Sequence, residues 1–192
     1  MHLRKTGGVS DLSKCIENNL KQKVPNIDQR LILAISDCVA ASLTTKSVNS
    51  YEWINVLPNI CTKKAQESRI RRLLKNKKIT VVDFMKNFVR EIIDILLKKG
   101  ETITLIMDQS QILEDRQCLM ISIRFENRAL PVLWKIVDTK GAIGFDVQEK
   151  VLDQLLEMIP LEVEILLAAD RFYGTKSFVE WCQKAGWHYR VR

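Results

Sequence analysis

Two short runs of apolar and β-branched residues, at 102–107 and 163–169, each lead directly into an aspartate, Asp108 and Asp170. A strand buried on both faces shows a near-continuous apolar run rather than alternation, so these segments predict two central strands of a covered sheet. Open α/β sheets bind their ligands at the carboxyl ends of the strands. If the two strands are parallel neighbours, both carboxylates converge on that rim. Like charges at such a separation repel unless a cation lies between them. Mg²⁺ suits the place, because it is held by one or two carboxylates together with water and phosphate oxygens. A centre of that kind supports in-line phosphodiester chemistry. An aspartate after a strand also simply caps turns and following helices, and a phosphatase-type or response-regulator-type aspartate fits the same two runs.

Upstream of residue 100 the apolar period is helical. Leu31, Ala34, Ile35, Cys38, Val39 and Leu43 predict an amphipathic helix starting at Asp28, and a shorter helix carries Trp53, Val56 and Leu57 inward before stopping at Pro58. A third, over 64–75, sets Ile70, Leu73 and Leu74 on one side and Arg69, Arg71, Arg72 and Lys75 around the rest. In the fourth, Val81, Phe84, Met85, Phe88, Ile92, Ile95 and Leu96 make one stripe, Thr80 caps the front and Gly100 supplies a left-handed cap. Downstream, 118–125 and 130–137 read as two strands of a hairpin or meander turning at Glu126, Asn127 and Arg128. Helical spacing returns over 148–159 up to Pro160 and over 175–185 up to Gly186, and a strand begins at Tyr189. The order predicts a small all-α region over 1–100 followed by an α/β layer over 101–192 with at least two parallel strands.

Charge is informative once located. Of the 30 basic residues, 12 lie between 61 and 100 against 4 acidic ones, whereas 101–192 carries 11 basic and 14 acidic residues. A local surplus of this kind either binds phosphates, releasing their counterions, or is a solvated lysine-rich helix face. The five cysteines, Cys15, Cys38, Cys61, Cys118 and Cys182, form no C-x-x-C pair, and the histidines are only His2 and His188. Reduced, mostly buried thiols are therefore expected rather than a zinc site or disulfide framework. No apolar run approaches eighteen residues and the first ten residues are polar, which leads to the expectation of a cytoplasmic chain with no membrane partner.

The wording around the aspartates carries more. Leu105-Ile106-Met107-Asp108-Gln109-Ser110, then Arg128-Ala129-Leu130-Pro131-Val132-Leu133-Trp134, then Leu166-Leu167-Ala168-Ala169-Asp170-Arg171-Phe172-Tyr173-Gly174, then Gly186-Trp187-His188-Tyr189-Arg190-Val191-Arg192 follow one another along the chain. These segments resemble bacterial insertion-sequence transposases with a DDE catalytic triad, and most nearly the insertion-sequence-four family. The stretch Ser68-Arg69-Ile70-Arg71-Arg72-Leu73-Leu74 resembles the arginine-rich helix that precedes the core in that group. The resemblance spans roughly residues 60–192.

The resemblance implies an RNase H-like mixed-sheet core, C-terminally incomplete, preceded by a small helical DNA-binding domain. Asp108 and Asp170 would be the first two catalytic and metal-binding carboxylates, for Mg²⁺ or Mn²⁺, two ions in the complete enzyme. Arg69, Arg71, Arg72, Lys75, Arg171 and Arg190 would face double-stranded DNA, both element ends and target. A surface or ion-pair role suits Arg171 equally, and a strand aromatic beside a solvated arginine accounts equally for Tyr189 and Arg190. Trp134 is expected in the core of a central strand rather than against a base. Phe172-Tyr173-Gly174 departs from the family's glycine-then-aromatic order. The third acid of the family is a glutamate in a tyrosine-arginine-glutamate-lysine signature beyond the last strand. None of Glu149, Glu157 and Glu180 takes that role, because their helices turn them to solvent. The expectation is a bacterial, nucleoid-associated transposase lacking its third ligand, dimeric if it pairs two element ends. The alternative is an inactive DNA-binding or dimerising product. A further reading, an unrelated α/β phosphoryl-transfer domain, predicts no appreciable DNA affinity.

Overall fold

The computed structural model describes residues 8–57 and 62–192. The chain divides between Thr80 and Val81 into two compact units. The expected stop at Pro58, and Cys61, lie outside the described residues.

The first unit holds four helices: α1 (Val9–Lys23), α2 (Gln29–Thr45), α3 (Ser50–Val56) and α4 (Lys63–Leu74). Asp28, Asn49 and Thr62 cap α2, α3 and α4 through their side-chain oxygens, satisfying amide groups that the first turn leaves unpaired. Helix α1 adds to the expected set, with Val9, Leu12, Ile16 and Leu20 three or four residues apart along it. On α2 the fully buried positions are Ile32, Ala34, Ser36, Ala40 and Ala41, and Val39 and Leu43 are exposed, so the buried stripe is turned from the expected one. Leu74, expected inside with Ile70, is likewise exposed.

The second unit begins with α5 (Val81–Lys98), which therefore groups with the sheet rather than with the helices before it. Its buried residues Val89, Ile93 and Leu96 belong to the same core as the strands, while Ile95 from the expected stripe is exposed. The helix ends as expected: Gly100 has φ +70°, and the Glu101 N–H reaches back to the Leu96 carbonyl. Then come β1 (Ile103–Leu113), β2 (Arg116–Phe125), β3 (Arg128–Asp138), α6 (Phe145–Leu156), β4 (Ile165–Ala169), a single 3₁₀ turn at Arg171–Tyr173, α7 (Lys176–Lys184) and β5 (His188–Val191). The protein is mixed α/β, and its five strands lie in the order β3-β2-β1-β4-β5. The first three pair antiparallel, and β1–β4 and β4–β5 pair parallel.

One side of the sheet makes the core. Ile103, Leu105 and Met107 of β1 join Leu119, Ile121 and Ile123 of β2 and Ile165, Leu167 and Ala169 of β4, with Phe178 and Cys182 of α7 in the same cluster. Trp134, expected on a central strand, lies instead on the outer strand β3 and is 37% exposed. No single helix among the described residues is long and apolar enough to cross a membrane.

Candidate functional site: two aspartates on neighbouring strands

The parallel ladder between β1 and β4 runs in step from Ile103 opposite Ile165 to Met107 opposite Ala169. Asp108 and Asp170 are the next residue on each chain segment, so both leave the ladder on the side opposite the buried Met107 and Ala169. Neighbouring strands lie about 5 Å apart, and both aspartates are exposed.

The two are not placed alike. Asp170 follows the end of β4, as expected, but Asp108 sits within β1, which continues to Leu113. The polar residues Gln109, Ser110 and Gln111 remain in strand because β2 pairs with them across the hairpin. The rim is thus set by where β4 stops.

Capping does not account for Asp170. Its backbone carbonyl accepts the Tyr173 N–H at 2.9 Å, and its carboxylate makes no capping hydrogen bond to the turn. The Asp108 carboxylate accepts the N–H of its neighbour Gln109 at 2.8 Å. Gln109 in turn accepts the Ile143 N–H (2.9 Å) and donates to the Gly141 carbonyl (3.1 Å), fastening the segment between β3 and α6 beside Asp108.

Further groups share this side of the sheet. Met120 faces Asp108 across β2, and Trp134 faces Met120 across β3. Arg190 is level with Ala168, two residues before Asp170, and is exposed. Arg171 is exposed on the 3₁₀ turn, its N–H donating to the Arg192 carbonyl at 2.5 Å.

Tyr173 closes the turn behind the aspartates and is only 2% exposed, with its hydroxyl unpartnered. Burial pushes that hydroxyl from 10 up to about 12, and the carboxylates of Asp108 and then Asp170 add to the rise. A phenol that holds its proton more tightly in the folded state than in the unfolded one favours folding fully below about pH 10. That contribution disappears as pH climbs from 10 toward 12. Absorbance of ionised tyrosine should accordingly show a late step, near pH 12, that Tyr173→Phe deletes. A titration without that late step would contradict the burial.

A pair of carboxylates is a hard-oxygen donor set suited to Mg²⁺ or Mn²⁺, and a buried hydroxyl without a partner beside it fits a centre whose polar groups await a ligand. Among the described residues no group of three or more His, Cys, Asp or Glu side chains gathers as a metal site. Glu149 and Glu180 are exposed on α6 and α7, and Glu157 is exposed just after α6, as expected of all three. The described cysteines are free; burial pushes the thiols of Cys38 and Cys182 up to about 11, which makes them poor nucleophiles.

In the helical unit, α4 carries the predicted basic residues, but not as one uniform face. Arg69 pairs with Asp37 of α2 at 2.8 Å, and Asp37 also accepts the Ser13 hydroxyl of α1 at 2.6 Å, so Arg69 ties three helices together. Arg71 pairs with Glu67 one turn away at 2.6 Å and is largely exposed, a weak bond that a phosphate can replace. Arg72 donates to the Ser68 carbonyl at 3.3 Å, and Lys75 is exposed at the helix end. Arg30, Arg69 and Arg72 line one open groove. Sequence reasoning misses Arg30 because α2 and α4 meet only in three dimensions. Tyr173 shows in the sequence only as an irregularity of residue order after Asp170.

No protein-family model matches the chain, and no curated protein matches it.

Proposed function

We propose that the chain is part of a DNA transposase of the insertion-sequence-four type, with an RNase H-like core and a helical region that grips duplex DNA. The observation that carries this reading is the placement of Asp108 and Asp170 one step beyond the same rung of two parallel strands. A mixed sheet in which β2 runs antiparallel to β1 and β4 parallel to it is what such a core requires. Divalent cations bound there supply Lewis acidity to an attacking water or 3′-hydroxyl and to the departing oxygen of the phosphodiester. The chain's own groups hold and orient: the two carboxylates take the cations, and Arg190 and Arg171 offer donors to strand phosphates near them. Arg71, Arg72 and Lys75 contribute sequence-independent phosphate affinity.

A second reading keeps the DNA affinity and drops the chemistry, giving a DNA-binding or dimerising protein that occupies element ends without cutting. The lack of a third acidic group near the pair among the described residues favours it. Incubation of supercoiled plasmid with Mg²⁺ or Mn²⁺ separates the two. Nicking that vanishes in Asp108→Asn and Asp170→Asn marks the enzyme, whereas binding without nicking in any variant marks the second reading.

Affinity itself is tested by its salt dependence. Arg71→Ala, Arg72→Ala and Lys75→Ala should each lower the slope of log K against log salt by about 0.9 for every phosphate the side chain neutralises. Unchanged slopes would return these residues to a solvated helix face, and no measurable DNA affinity at all would leave an α/β phosphoryl-transfer domain of another kind.

A further inference from the structure

Among the described residues of the sheet unit, the Tyr173 hydroxyl is the one buried side-chain oxygen or nitrogen with no hydrogen-bond partner. Folded proteins rarely leave such a group unsatisfied, and a phenylalanine would fill the same space without the penalty. The ring itself is well accounted for. It sits in the sheet core and meets Phe172 edge-on, centroids 6.1 Å apart at 88°. Its backbone is fixed as well, through the N–H bond to the Asp170 carbonyl. Gly174 just beyond packs so tightly that a Cβ there would stand 3.2 Å from both the Arg171 carbonyl oxygen and the Val191 side chain. The hydroxyl alone lacks a local purpose, and it lies within electrostatic reach of both aspartates, whose charges strengthen its hold on its proton.

We propose that Tyr173 is a positioning residue of the two-aspartate centre: its hydroxyl, unpartnered without a cation, donates its hydrogen to an oxygen of Asp108 or Asp170 when that carboxylate turns to receive a divalent cation. The proposal rests on the reading of the pair as a cation centre. An exposed aspartate samples several rotamers, and a donor on one oxygen selects the orientation that presents the other. A neutral phenol serves this purpose better than a lysine or arginine would, because it adds no positive charge to compete with the cation. The core on one side and the turn on the other hold the donor still, so little ordering is left to binding.

Calorimetric titration of the whole chain with Mn²⁺ tests this directly, comparing wild type, Tyr173→Phe and Asp108→Asn. Loss of an outer hydrogen bond to a metal-holding side chain weakens binding by about tenfold or more. Tyr173→Phe is therefore expected to weaken Mn²⁺ binding about tenfold while the melting midpoint without metal stays the same or rises, the buried unsatisfied hydroxyl being gone. Asp108→Asn is expected to lose binding almost entirely. Wild-type affinity in Tyr173→Phe together with loss in Asp108→Asn would make Tyr173 a core aromatic and overturn the proposal alone. Equal binding by all three proteins, or by none, would remove the cation centre itself and the proposal with it.

Discussion

Replacing Phe178 with alanine is expected to cost the sheet unit about 3–5 kcal/mol, the range found when a large buried ring is deleted and its cavity only partly collapses. Phe178 is fully buried, in the first turns of α7, whose start is capped by the Thr175 hydroxyl accepting the Phe178 N–H at 3.3 Å. Trp181 and Cys182 follow on the same side of the helix, and the Trp181 ring meets Trp187 edge-on at 5.3 Å. Loss of the Phe178 ring therefore loosens α7 from β4 and β5, the strands that set the position of Asp170. Urea titration measures the change. A loss below about 1 kcal/mol would mean that α7 is not seated in this core.

The second large effect lies at the rim. Asp108→Asn and Asp170→Asn each remove one of two like charges set one step beyond the same rung, so each should leave stability without metal unchanged or slightly higher. The same substitutions should weaken Mn²⁺ or Mg²⁺ binding at least about 100-fold, more than loss of an outer hydrogen bond does. Paired melting curves with and without the ion read both. A gain without the ion, coupled to loss of the stabilisation the ion confers, would identify the pair as retained for binding at a cost to the fold. Two variants that melt and bind like the wild type would dispose of the centre.

The inner strands β1 and β4 and the aspartates after their apolar runs are legible in the sequence, but the expected burial of both faces is not met: one face of each is buried and the other only half-buried. The remainder of β1 is not legible. Gln109 to Gln111 are strand residues by virtue of pairing with β2, and a polar composition carries no signal of pairing. Helix positions are legible where caps mark them, as at Asp28 and Gly100, but the buried faces of α2 and α5 differ from those the apolar spacing predicts. Leu43 and Ile95 lie beside the buried stripes, and only the neighbouring element decides which of two adjacent apolar rows it covers. The same holds for the charges. Arg69 looks like its neighbours on α4, and only the folding of α2 against it supplies Asp37, thirty-two positions away in the chain. Tyr173 is the extreme case, since an unsatisfied hydroxyl is a property of everything packed around it.

Because β1 outruns β4, the two aspartates stand at the foot of a wall rather than on a level edge. Six residues from Asp108 to Leu113, all but Ile112 paired with β2, extend roughly 20 Å past the last shared rung, and they end in exposed Ile112 and Leu113. Anything laid across the carboxylates from the β2 side would meet that extension first. The scaffold itself thus makes the two approaches to the pair along β1 unequal.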